Sequence, residues 1–126
     1  MLRLADPAEA YRRVELDACV AGSSSSDLVL LCIDHVRCAL SQALWAERHG
    51  RRDGANKSLA RARSGLVALR LGVDSASPLA GQLLTLYGAM ETSITASQFR
   101  FNRPAMERVV ADLDDISSVY RMNRAG

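Results

Sequence analysis

From Ser25 to Tyr120, apolar residues recur every three or four positions in four successive blocks, punctuated by Gly, Pro and Asn. That period predicts amphipathic helices. In the first block, about Ser25 to His49, Val29, Cys32, Ile33, Val36, Ala39, Leu40, Ala43 and Leu44 fill a wide arc. Leu31, Cys38 and Trp45 make a second apolar strip, while Asp34, Arg37, Ser41 and Arg48 share the polar side. So broad an apolar circumference predicts neighbours on more than one side. Gly50 is expected to stop this helix, with Arg48 and His49 set against the negative end of its dipole.

The second helix is predicted from Asp53, Gly54 or Ala55 to about Gly72, with Leu59, Ala62, Leu66, Leu69 and Val73 facing the core. Ala60, Val67 and Leu71 lie on roughly its opposite side. Ser77-Pro78 predicts the third helix start, a capping serine followed by proline at the first helical position. Leu79, Leu83, Leu86, Tyr87, Met90, Ile94 and Phe101 form its stripe, and Gly88 is expected to mark a close helix approach. Asn102 is read as the cap of the fourth helix, with Pro104 in its first turn. Met106, Val109, Val110, Leu113, Ile116 and Tyr120 supply its buried face. The expected core is thus drawn from Ile33, Leu40, Leu66, Leu69, Leu83, Leu86, Tyr87, Met90, Ile94, Val109, Leu113, Ile116 and Tyr120.

Short connections between long helices force antiparallel neighbours. The predicted fold is therefore all-α, an antiparallel up-down-up-down four-helix bundle over residues 25–124. Residues 1–24 read as an N-terminal arm or short extra helix, in which Tyr11, Val14 and Ala18 could share a face. Ser24, three residues before Asp27, resembles a capping box with Asp in place of Glu.

At 126 residues the chain is one domain. Its 5% aromatic content leaves a core of Leu, Val, Ile and Ala, which interdigitate well between helices. A net charge of +2 gives no reason to expect nucleic acid or membrane as a partner. The local basicity of Arg48, Arg51, Arg52, Lys57, Arg61 and Arg63 reads as a solvated corner. The first ten residues contain no long apolar run, so no signal peptide or anchor is expected there, and no later run is expected to reach the ~20 apolar residues of a membrane span. Three cysteines, Cys19, Cys32 and Cys38, leave one unpaired in any disulfide scheme and suit free thiols in a reducing cytoplasm.

Cys32, His35 and Cys38 fan across about 120° of a helix, too wide to converge on one metal ion. Buried thiols beside a partly buried histidine are expected instead. A histidine on a four-helix bundle is also the layout of phosphotransfer domains. Here the flank His35-Val36-Arg37-Cys38-Ala39 lacks the glycine that admits a receiver domain. Asp114 and Asp115 are adjacent on a helix and point apart, and nothing pairs a nucleophile with a base. No enzyme activity and no cofactor are expected.

Several landmarks match a known pattern at consistent spacing. They are Leu28-Val29-Leu30-Leu31-Cys32-Ile33-Asp34, Gly50, Asn56, Val73-Asp74, Leu86-Tyr87 with Met90, and Asn102. In these the chain, from about Leu28 to Tyr120, resembles the cytoplasmic flagellin-export chaperones of the FliS family. It departs from them at Ile33, Cys38 and Tyr120, where the family often has Tyr, Arg and Trp.

The resemblance implies a cytoplasmic chaperone that holds the C-terminal segment of flagellin, prevents premature polymerisation and accompanies it to the export apparatus. An export-gate component is a second implied partner. Tyr11, Val14 and Leu16 match the family's N-terminal segment, which is linked to client binding. With Asn56, Ala60, Val67 and Leu71 they form the candidate client-binding set. The expected assembly state is monomer or weak dimer. Rival readings are a helical adaptor with another protein partner, a phosphotransfer domain using His35, and a nucleic-acid-binding bundle.

Overall fold

The computed structural model describes residues 25–125. They form four helices: α1 Ser25–Arg48, α2 Arg52–Leu71, α3 Ala80–Phe99 and α4 Arg103–Ala125. Each helix packs on its neighbours around a ring, α1 on α2 and α4, α3 on α2 and α4, and the diagonal pairs meet only through side chains in the core. This is the up-down-up-down bundle that the spacing predicts. The α1–α2 seam is the most extensive and the α3–α4 seam the thinnest. Ser24 and the arm residues Tyr11, Val14, Leu16, Ala18 and Cys19 lie outside the described residues.

Local chemistry sets three of the four expected helix-end signals as predicted. Gly50 takes φ +69°, the left-handed conformation open to a residue without Cβ, and α1 ends there. At the end of α2, the Gly72 N–H donates to Ala68 O at 3.0 Å. The Asn102 side-chain oxygen accepts from Ala105 N–H at 3.1 Å, and its carbonyl accepts from Met106 N–H at 3.0 Å. Asn102 is thus the N-cap of α4, with Pro104 in the first turn, where its missing N–H costs nothing.

The start of α3 differs from expectation. The Asp74 carboxylate accepts from Ala76 N–H, and Ser77 Oγ accepts from Leu79 N–H at 3.2 Å. Ser77 and Pro78 therefore belong to a chain of local turns, and the helix begins at Ala80 without a side-chain cap. Short Asp and Ser side chains bonded to nearby backbone compete with the helix here.

The core lies along the bundle axis. Of the expected core residues, Ile33, Leu40, Leu66, Leu69, Tyr87, Met90, Ile94, Val109 and Leu113 are buried. Val36, Leu59, Ala62 and Met106 join them. Leu83, Leu86, Ile116 and Tyr120 are only half-buried. All four face the α3–α4 seam, which does not close over them.

The close helix approach falls at Gly65, not at Gly88. A Cβ at Gly65 would stand 2.5 Å from Val36 Cγ2 and 3.1 Å from His35 Cδ2, whereas one at Gly88 would meet nothing within 4 Å. Gly65 lies on the most extensive seam, whereas Gly88 faces open space. Polar ties reinforce the other seams. Arg103 donates to Leu44 O at 2.8 Å and pairs with Glu47 at 2.6 Å, joining α4 to α1. Arg37 pairs with Asp114 across the same seam, and Arg70 with Glu91 at 2.8 Å across α2–α3. Among the described residues no ion pair joins α3 to α4.

Contrary to expectation, one segment does have membrane-like composition: Ser26–Arg48 spans 23 residues at a mean hydropathy of 1.3, enough by length and composition to cross a membrane. Its buried arc, Cys32 to Ala43, is instead packed into the core against α2 and α4.

Candidate functional site

The α3–α4 seam is the thinnest in the bundle and holds two grooves, one of them edged by small residues. Ala89 and Ser93 on α3 look across at Ala105 and Asp112 on α4, and together they line a groove of about 420 Å³ floored by Leu86, Met90 and Val109. Toward the α3 N-terminus a second groove of about 290 Å³ is lined by Leu79, Leu83, Ile116, Val119 and Tyr120. Leu79 and Val119 are 49% and 50% exposed, so the walls as well as the floor offer apolar surface. Arg108 and Asp112 give the larger groove a mixed-charge wall.

The α2 candidates lie apart from this seam. Asn56, Ala60, Val67 and Leu71 fall on one side of α2, away from its buried row of Ala55, Leu59, Ala62, Leu66 and Leu69. Ala60 is exposed, Val67 half-buried, and Leu71 is 75% exposed. Asn56 is half-buried beside the α1–α2 turn, where it lines a small hollow with Glu47, Ser97 and Phe101. Sequence reasoning assigned Leu83, Leu86, Ile116 and Tyr120 wholly to the core and did not single out Val119. The signal was the polar, small-residue remainder of α3, which edges the larger groove.

The sequence pattern of the flagellar protein FliS family matches residues 7–125. The chain belongs to that family. No individual curated protein shows significant similarity to it. FliS proteins are flagellar chaperones and not an enzyme family, so membership carries a flagellar export chaperone role and flagellum-related protein partners.

The remaining polar chemistry of this FliS chain has structural employment. His35 is half-buried against Gly65 of α2, so its ring is not presented openly as a phosphotransfer histidine would be. Cys32 is buried, but Cys38 is exposed, a departure from the expected pair of buried thiols. Cys38 belongs to the outward strip of α1, which no described helix covers. Among the described residues no cluster of His, Cys, Asp and Glu could hold a metal ion.

Three members of the basic corner are engaged, while Arg48, Lys57 and Arg63 are exposed. Arg51 lies over the Trp45 ring at 5.5 Å, Arg52 donates to Phe99 O at 3.3 Å, and Arg61 donates to Gln42 and Ser58 at 2.9 Å. The Tyr87 hydroxyl is displaced from its ordinary range. Burial, then the neighbouring Tyr120 and Cys32, push its hydroxyl well above the usual tyrosine range. It is a neutral core group, not an acid or base in use.

Proposed function

We propose that this chain is a cytoplasmic export chaperone that binds the C-terminal segment of flagellin, keeps it from polymerising and accompanies it to the export gate. Family membership supports the class of function, and the apolar groove between Leu83 and Ile116 in the α3–α4 seam supports the mode. An amphipathic segment binds a bundle by laying apolar side chains into a groove between helices. The half-buried Leu83, Leu86, Ile116 and Tyr120 are suited to receive such side chains, because they are held by the core yet retain uncovered apolar surface. Ala60, Val67 and Leu71 on α2, with Asn56 at its start, extend the proposed contact for a client that wraps the bundle. Tyr11, Val14 and Leu16 complete the proposed set.

Ordering a disordered client typically buries ~1,000–3,000 Å² and costs about 2–5 kcal/mol of the gross interaction. Binding of that kind is firm but reversible, and release needs no nucleotide held by the chaperone. The test is titration of the full chain with a flagellin C-terminal peptide, using Leu83→Asp and Ile116→Asp variants. Each should weaken binding by roughly thirtyfold, about 2 kcal/mol, while helical circular dichroism is retained. Wild-type affinity in both variants would remove the groove from the reading. Hydrogen exchange checks the arm: unchanged protection of residues 8–18 on adding the peptide would remove Tyr11, Val14 and Leu16 from the set.

A further inference from the structure

The α1–α2 and α3–α4 connections lie side by side at one end of the bundle. Arg52, opening α2, donates to Phe99 O at the end of α3 at 3.3 Å. Arg103, opening α4, donates to Leu44 O at 2.8 Å near the end of α1. These ties gather cations that are far apart in sequence: Arg48, Arg51, Arg52, Lys57 and Arg100 are exposed, and Arg103 is half-buried. Residues 45–57 and 97–107 together hold six Lys or Arg against three Asp or Glu, a net +3. The whole chain is +2, so the remainder carries −1. Two helix N-termini and two C-termini share this end, so the dipoles offset and the side chains set its sign.

The acidic groups nearby do not neutralise it. Glu47 is taken by Arg103 at 2.6 Å, which leaves Asp53 and Glu107 against five exposed cations. Two of those cations are already placed, Arg51 over the Trp45 ring at 5.5 Å and Arg52 on Phe99 O. A side chain fixed beforehand loses less freedom on binding. Apolar surface stands beside them. Arg100 is extended, at φ −145° and ψ 106°, and of the two phenylalanines flanking it Phe101 packs on the core while Phe99 is 81% exposed.

We propose that this basic end is a docking surface for an acidic segment of a partner protein, one that carries an apolar or aromatic residue to cover Phe99. Guanidinium forks match carboxylates in pairs, and the charge of this end calls for such groups. Asp53 and Glu107 interrupt the cations, which separate carboxylates tolerate better than a continuous phosphate track does. The chain does not itself supply the acidic run. Residues 1–24 interleave three Arg with four Asp or Glu, and they join the bundle at Ser25, the opposite end of α1, ~36 Å away. The inference is independent of what fills the α3–α4 seam.

The test is fluorescence anisotropy of the full chain with a labelled peptide of alternating Asp and Glu around one central Trp, about nine residues long. Binding should saturate, and Arg52→Glu combined with Arg100→Glu should weaken it about thirtyfold. Arg63→Glu combined with Arg121→Glu makes the same charge change outside this end and should stay within about twofold of wild type. Phe99→Ser should weaken the Trp peptide about fivefold and leave unaltered the affinity for the same peptide with Ser in place of Trp. Helical circular dichroism verifies folding, and Arg52→Gln with Arg100→Gln replaces a Glu variant that unfolds. A wild type that ignores the peptide, a control as weak as the Arg52 and Arg100 variant, or equal effects of Phe99→Ser on both peptides would each overturn the proposal. Tighter binding of a single-stranded oligonucleotide of equal charge would overturn it in favour of nucleic acid.

Discussion

Placing a methyl group at Gly65 is the sharpest test of the packing that holds this bundle together. The Gly65→Ala Cβ would sit 2.5 Å from Val36 Cγ2, where carbon atoms prefer about 3.5–4.0 Å, so roughly 1 Å must be found. Val36 cannot supply it easily. Its side chain is 0% exposed, and a β-branched residue in a helix is confined largely to one rotamer. The strain therefore falls on the α1–α2 seam, the most extensive in the molecule. Overpacking of this kind costs about 1–3 kcal/mol, here near the upper end, against about 1 kcal/mol gained from replacing glycine in a helix.

The net expectation is destabilisation by about 1–2 kcal/mol, lowering the urea midpoint by about 0.5–1 M for a typical slope. Gly88→Ala supplies the control. With nothing within 4 Å of its Cβ, it keeps the helix gain and should stabilise by about 1 kcal/mol. Val36→Ala combined with Gly65→Ala should cost less than the sum of the two single changes, because the first makes room for the second. The measurement is urea unfolding followed by circular dichroism at 222 nm. A Gly65→Ala protein as stable as Gly88→Ala, or additive behaviour in the double variant, would refute the close approach of α1 and α2.

Other outcomes follow from particular residues. Asn102→Ala should cost about 1 kcal/mol in the same unfolding assay, through loss of the α4 cap bond to Ala105, while Asn102→Asp should retain most of it. The raised Tyr87 hydroxyl makes the fold sensitive to alkali. The unfolded chain gives up this proton near the ordinary tyrosine value of 10.0 and the folded chain keeps it, so stability is intact below that pH and falls as pH rises beyond it. Tyr87→Phe should flatten that decline when unfolding free energy is compared at pH 8 and pH 11, and an unchanged slope would contradict the assignment. Ile94→Asp should abolish folding, since it places a charge at a fully buried position, in contrast to the tolerated Ile116→Asp at the groove.

Much of this architecture was legible in the residues because local signals and the global pattern agree. The three- and four-residue spacing, Gly50, Gly72 and Asn102 place the helices within a few residues of where they lie. The start of α3 was misjudged because Ser77-Pro78 reads as a cap only if the preceding Asp74 does not claim the backbone first. Helical periodicity also reports which side of a helix is apolar, but not how closely a neighbour approaches. Leu83, Leu86, Ile116 and Tyr120 therefore read as core, while α3 and α4 meet too sparsely to bury them. The same limit hid Gly65, whose role depends on Val36 across the seam. On α1, a second apolar strip suggested a further neighbour, and the described residues supply none.

The central claim is that an apolar trough on this bundle receives the C-terminal segment of flagellin. Isothermal titration of the full chain with intact flagellin monomer, and with flagellin shortened at its C-terminus, tests it most directly. The account predicts saturable binding to the intact monomer, with a negative heat-capacity change from apolar burial, and at least thirtyfold weaker binding to the shortened form. Equal affinity for both, or no binding to either, would contradict it.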